Sequence, residues 1–176
     1  MMTEFPCTPG QTVGPFLGLG LPYPGDSDLI AAGQPHAVRL HGTVYDGAGE
    51  AVPDALVELW QRDGDGRVPR RAGSLRREGA GFTGWGRCAT DAAGHYGFTT
   101  VAPGSDSGRP PFFALAVFAR GLLHRLFTRA YVPHDEVNAD PTLSALVCVA
   151  ESGHATYRFD IHLQGPNETV FLEYRR

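Results

Sequence analysis

From Val38 onward, apolar and polar residues alternate with a period of two. In VRLHGTVYD, Val38, Leu40, Gly42 and Val44 share a face, and in DALVELWQ, Ala55, Val57 and Leu59 share one while Trp60 lies on the other. That period is the spacing of a pleated strand with one face covered. The intervening GAGEAVP carries the glycine and proline of a turn, so two consecutive strands are predicted. TGWGRCATDAAGHYGFTTVAPG (83–104) reads as two more strands around a hairpin loop at Asp91–Gly94. Alternation then gives way to continuous apolar character in FFALAVFA (112–119) and LLHRLFTRAYV (122–132), on either side of an Arg120-Gly121 turn. Such runs suit strands covered on both faces. ATYRFDIHLQ (155–164) and ETVFLEY (168–174) read as a closing hairpin through Gly165-Pro166-Asn167. A single short helix is predicted from Asp140, with that residue as cap and Pro141 in the first helical position. About eight short strands with close-set turns predict an all-β fold, a two-sheet β-sandwich with one short helix.

The first 36 residues break this pattern. They are rich in proline and glycine and have little periodicity, so they are predicted to form an extended leader on a partner surface, followed by a single sandwich domain over 37–176. A chain of 176 residues is long enough to bury a core without staples. Its three cysteines, Cys7, Cys88 and Cys148, are widely spaced and form no CxxC pair, which argues against a disulfide framework or a zinc site. With no basic, apolar signal segment at the start, a cytoplasmic protein is expected. All 15 basic residues are arginine. The absence of lysine excludes Schiff-base chemistry and a P-loop, and a net charge of -4 without a basic stripe argues against nucleic acid as a partner.

Several segments add a more specific picture. TPGQTVGPFLGLGL (8–21), LHGTVYDGAGEAVPDALVELWQRDGDGR (40–67), TDAAGHYGFTTVAPG (90–104), RPPFFALAVFARGLLHRLFTRAY (109–131) and YRFDIHLQG (157–165) occur in this order and cover most of the chain. Together they resemble the intradiol ring-cleaving dioxygenases. The 40–67 unit alone would also suit a transthyretin-like or adhesin-like sandwich. The leader joined to that unit is far more specific.

Iron-bearing members of this family hold ferric iron through two tyrosines and two histidines, phenolate being a hard ligand that supports the oxidised metal. At the positions the resemblance matches to those ligands, this chain has Val68 after Gly66-Arg67, Asp106 after APGS, and Phe112 and Ala114 in place of an R-P-x-H-x-H pair. The remaining seven histidines form no H-x-H or H-x-x-x-H pair, so no relocated metal site is expected. No cofactor is therefore expected in this chain, and the resemblance implies Fe(3+) in a partner.

Loss of all four ligands resembles the iron-free α chain of a two-chain intradiol enzyme. The implied partner is a homologous iron-bearing β subunit in an obligate hetero-oligomer. The implied reaction is cleavage of protocatechuate with O2 to 3-carboxy-cis,cis-muconate, part of aromatic compound degradation through the β-ketoadipate pathway. Thr12, Gly14 and Pro15 in the leader and Arg129 in FTRAY match family positions that line the shared substrate pocket, and no residue of this chain is implied to be catalytic. Glycine admits close approach to a flat ring, proline fixes chain direction, and a guanidinium bonds a carboxylate with charge assistance. The competing reading is a non-enzymatic sandwich scaffold or an aromatic-acid-binding module, which would explain the strands and the missing ligands but not the leader.

Overall fold

The computed structural model describes residues 8–14, 16–31, 33–70, 81–105, 108–151 and 155–173. Among the described residues, nine strands form two sheets. In the first sheet, β4 (His95–Val101), β1 (Ala37–Tyr45), β8 (Thr156–Arg158) and β7 (Val149–Glu151) lie side by side, and β9 (Ile161–His162) also pairs with β1. The second sheet has the order β3 (Trp85–Ala89), β2 (Leu56–Trp60), β5 (Phe112–Phe118) and β6 (Leu126–Tyr131). The predicted sandwich is present.

Its core follows from the alternation. Leu40, Val44, Phe98, Tyr157 and Ile161 of the first sheet meet Val57, Leu59, Phe113, Leu115 and Val117 of the second, all buried. Burying side chains of this size contributes roughly 1.5–3 kcal/mol each relative to leaving them exposed. Two polar side chains stitch the interior. Thr90 Oγ1 accepts from the Ala55 N–H at 3.0 Å and donates to the Val52 carbonyl at 2.7 Å, and Thr100 Oγ1 donates to Gln61 Oε1 at 2.7 Å.

Three connections differ from expectation. The 47–53 segment and the Asp91–Gly94 loop both lead from one sheet to the other, because β1 and β4 pair together while β2 and β3 pair together. Neither is a hairpin. The closing hairpin is also absent: β8 and β9 run parallel to β1, and the segment from Glu168 turns away to the edge of β6, where the Leu172 N–H reaches the Phe127 carbonyl at 2.7 Å. Only β5 and β6 form the hairpin predicted for them, with Arg120 at its turn ion-paired to Asp54.

Local structure also departs from the single predicted helix. Asp140 does cap, its Oδ1 accepting from the Thr142 N–H at 2.8 Å, but the turn it opens ends in a 3-10 segment, Ser144–Leu146. The α-helical turns are α1 (Leu17–Gly20) and α2 (Asp135–Ala139), the second capped by the His134 ring. Within the leader, residues 26–29 join this chain's own sandwich. The Leu29 N–H donates to the Thr99 carbonyl at 2.8 Å, the Arg87 N–H to the Asp26 carbonyl at 2.9 Å, and the Leu29 side chain is fully buried. No helix among the described residues is long and apolar enough to cross a membrane.

Candidate functional site

Alternation on the second sheet sends Val57, Leu59, Phe113, Leu115 and Val117 inward, so Trp60, Phe112, Ala114 and Arg129 emerge on the outer face. Register aligns them. Trp60 lies opposite Ala114, Ala114 opposite Arg129, and Phe112 opposite Tyr131. A diagonal neighbour across an antiparallel pair is about 7–8 Å away, within reach of a long side chain. Arg129 uses that reach: its guanidinium sits 4.4 Å from the Phe112 ring centroid and its Nη1 lies 3.4 Å from the Tyr131 hydroxyl. A cation over an aromatic face contributes about 0.5–2 kcal/mol, more as water is excluded.

Phe112 stands at the junction of three depressions. One, of about 320 Å³, is lined by Arg62, Arg109, Pro110, Phe112, Arg129 and Tyr131 among others. The second, also about 320 Å³, holds Trp60, Ala114, Phe127, Arg129 and Leu172. Val68, 59% exposed, lines the third, of about 370 Å³, with Trp60 and Trp85. The fold therefore gathers Val68, Phe112 and Ala114 around one patch and places Arg129 on it. Contrary to the sequence expectation for β5 and β6, their outer face is only partly covered within this chain: Phe112, Ala114 and Arg129 are all part-exposed.

The leader residues lie elsewhere. Thr12 Oγ1 accepts the Gly121 N–H at 2.7 Å, which fastens the leader to the β5–β6 turn. A depression of about 670 Å³ there is lined by Gln11, Val13, Phe118, Leu123, Phe127 and Leu172. Arg129 is three residues into β6, roughly 10 Å along the strand from its start. Gln11 and Val13, on either side of Thr12, thus border one cavity and Arg129 another, the two linked through Phe127 and Leu172. At Gly14, an added Cβ would meet nothing within 4 Å, so this chain's own packing does not require glycine there. Pro15 and Asp106 lie outside the described residues.

A ferric ion needs oxygen, nitrogen or sulfur donors. Val68, Phe112 and Ala114 offer only carbon, and among the described residues no three His, Cys, Asp or Glu side chains converge. These residues do not fit the metal. Three of the histidines are engaged in other ways: His41 faces Glu151 at 3.2 Å, His95 faces Asp91 at 3.5 Å, and His162 stacks on Tyr45. Cys88 and Cys148 are free thiols, and burial pushes the Cys148 pKa up to about 12, which keeps it protonated and unreactive.

Sequence reasoning missed the arginines at 62 and 109 and Tyr131 as parts of this patch. The signal for Tyr131 was partial: a hairpin turning at Arg120-Gly121 would set Phe112 opposite Arg129 with Tyr131 on the same face, and the observed register, shifted by two, sets Phe112 opposite Tyr131. Arg62 and Arg109 sit just outside strands, where periodicity carries no information.

A two-sheet sandwich with this outer-face site has the fold of the ring-cleaving dioxygenases. It superposes with a TM-score of 0.64 on the dioxygenase domain of a dioxygenase carbohydrate-binding protein fusion from Streptomyces sp. SirexAA-E, at 24% identity over 79% of this chain and 87% of that one. Catechol 1,2-dioxygenase from Acinetobacter sp. ADP1 gives 0.57 at 22% identity, covering 77% of this chain and 55% of that one. The family profile described as dioxygenase matches residues 25–108. The chain is 38% identical to the protocatechuate 3,4-dioxygenase alpha chain of Burkholderia cepacia, over 98% of its own length and 100% of the relative's. Against the beta chain of the same organism it is 33% identical over 83% of its length and 74% of the relative's. The chain belongs to the protocatechuate 3,4-dioxygenase family of intradiol oxidoreductases, matching its alpha chains from end to end.

Proposed function

We propose that this chain is the iron-free alpha subunit of a cytoplasmic protocatechuate 3,4-dioxygenase, completing the substrate pocket of an iron-bearing beta subunit. The observation that carries this reading is full-length similarity to alpha chains combined with carbon-only side chains at Val68, Phe112 and Ala114. The second Burkholderia relative, a beta chain, supports a homologous partner that holds the Fe(3+). In this assembly protocatechuate and O2 react at the partner's metal. This chain's residues act by position.

Thr12, Gly14 and Pro15 form the leader wall of the shared pocket, and Arg129 binds the ring carboxylate. The unexplained openness at Gly14 supports the first role, because a glycine not needed by its own chain suits close approach by something outside it. Phe16, Leu19 and Leu21 support docking by the 1–36 leader: they are 79%, 77% and 40% exposed, and α1 buries no residue of its own. For Arg129, part-exposure and a guanidinium with no carboxylate partner among the described residues support a role as anchor. Orientation is worth a great deal here, since a misplacement of about 1 Å can cost on the order of a hundredfold in rate.

The test is Arg129→Ala in the co-expressed alpha–beta assembly, assayed with protocatechuate and with catechol, which lacks the carboxylate. Loss of one charge-assisted contact should reduce kcat/KM for protocatechuate by about ten- to a hundredfold more than for catechol. Equal losses on both substrates would remove the carboxylate role.

A further inference from the structure

The turn between β5 and β6 leaves two central groups without a role in its own geometry. The Leu122 N–H closes it on the Ala119 carbonyl at 3.3 Å, with Gly121 at φ 89°, so neither the Gly121 N–H nor the Arg120 side chain bonds within the turn. Both reach outward. The Gly121 N–H donates to Thr12 Oγ1 at 2.7 Å, and Arg120 Nε meets Asp54 Oδ2 at 2.5 Å. Asp54 is a fixed point, because its neighbours are tied to Thr90 Oγ1: the Val52 carbonyl accepts from it at 2.7 Å and the Ala55 N–H donates to it at 3.0 Å. Its other oxygen, Oδ1, is buried and accepts no hydrogen bond among the described residues, so the guanidinium is what offsets the charge.

The leader meets this same structure at three places. A Cβ added at Gly10 would touch Leu123 at 3.7 Å, Thr12 holds Gly121, and a Cβ added at Gly18 would stand 3.3 Å from the Asp54 carbonyl oxygen. The turn and the connection ahead of β2 thus carry residues 10–18 between them, and the ion pair joins one to the other. With Arg120 56% exposed, such a pair adds little to global stability. Its effect is local: it stops the turn, and the Thr12 it holds, from swinging about the ends of β5 and β6. We propose that Asp54 and Arg120 are positioning residues, their ion pair setting where Thr12 and Gly14 stand. The step from leader position to turnover rests on the reading that this leader walls the substrate pocket.

The test has a structural and a kinetic arm. In the full-length chain, Arg120→Gln should speed amide exchange at Gly121 about tenfold by NMR, while the Leu115 amide in mid-β5 and the unfolding midpoint stay at wild-type values. Arg120→Lys keeps the charge for a single contact and should restore protection to within about twofold. Asp54→Asn combined with Arg120→Gln leaves no lone carboxylate, should exchange as fast as the single variant, and replaces it if that variant does not fold. In the co-expressed alpha–beta assembly, Arg120→Gln should lower kcat/KM about tenfold on protocatechuate and catechol alike, since a displaced wall affects the ring both share, and Arg120→Lys should recover most of the loss. Wild-type exchange at Gly121 in folded Arg120→Gln, or wild-type kcat/KM in its assembly, overturns the proposal. Gly14→Val, which adds bulk where this chain has open space, separates the two causes. If it too leaves kcat/KM unchanged, the wall reading fails; if it lowers kcat/KM while Arg120→Gln does not, only the role of the ion pair fails.

Discussion

Gly42 sits in the middle of β1 where the Phe159 carbonyl passes so close that an added Cβ would overlap it. Alternation correctly placed this residue on the inward face with Leu40 and Val44. It did not show why the residue is glycine, because the neighbour that requires it arrives from 117 positions later in the chain. Gly42→Ala is expected to destabilise the chain by about 1–3 kcal/mol, since the crossing backbone must move. A shift in urea midpoint without a change in slope would show it. Phe112 and Arg129 illustrate the opposite case. Their apposition was legible because a hairpin fixes register locally, whereas Arg62 and Arg109 reach the same patch through irregular chain.

At the level of elements, the strands were readable and their partners were not. A Gly/Pro-rich connection such as 47–53 looks the same whether it turns a hairpin or crosses between sheets, because its residues satisfy only local backbone needs. What settles the matter is pairing at long range. β1 takes β4 on one side and, in parallel, β8 and β9 on the other, leaving β2 to the second sheet. The leader's contribution was hidden for the same reason. Residues 26–29 bond to both Thr99 on β4 and Arg87 on β3, bridging the two sheets, and Leu29 fills core space beneath them. Leu29→Ala should therefore cost about 2–5 kcal/mol, the range for truncating a buried leucine. Chemical denaturation of the isolated chain measures it, and a loss below about 1 kcal/mol would mean the leader contributes little to the chain's own stability.

For the whole molecule, exposed apolar surface is the informative quantity. Phe16, at the N-cap of α1, and Leu19 within it, with Trp60 on the outer sheet face, are more than half exposed. In the assembly proposed above, these open side chains are the candidate contacts of this chain. The double substitution Phe16→Ser with Leu19→Ser is expected to leave the chain's own unfolding midpoint within about 0.5 kcal/mol of wild type, because α1 buries nothing. Co-purification with a beta-type homologue should fall by about tenfold or more, since such aromatic and aliphatic anchors dominate interface energetics. Undiminished co-purification would move the docking surface away from the leader.

The fastening of the leader at both Thr12 and Leu29 has a kinetic consequence. Ordering a backbone residue costs about 1–2 kcal/mol, and a free tail would meet that cost during subunit encounter. Here much of it is met when the chain folds, because the Gly121 N–H holds one end and the bridge between β3 and β4 holds the other. The segment between these points is a preshaped template, not a groping arm. In the proposed assembly, association with a partner would then resemble the docking of two rigid bodies, and the slow step in building it would shift toward maturation of this chain.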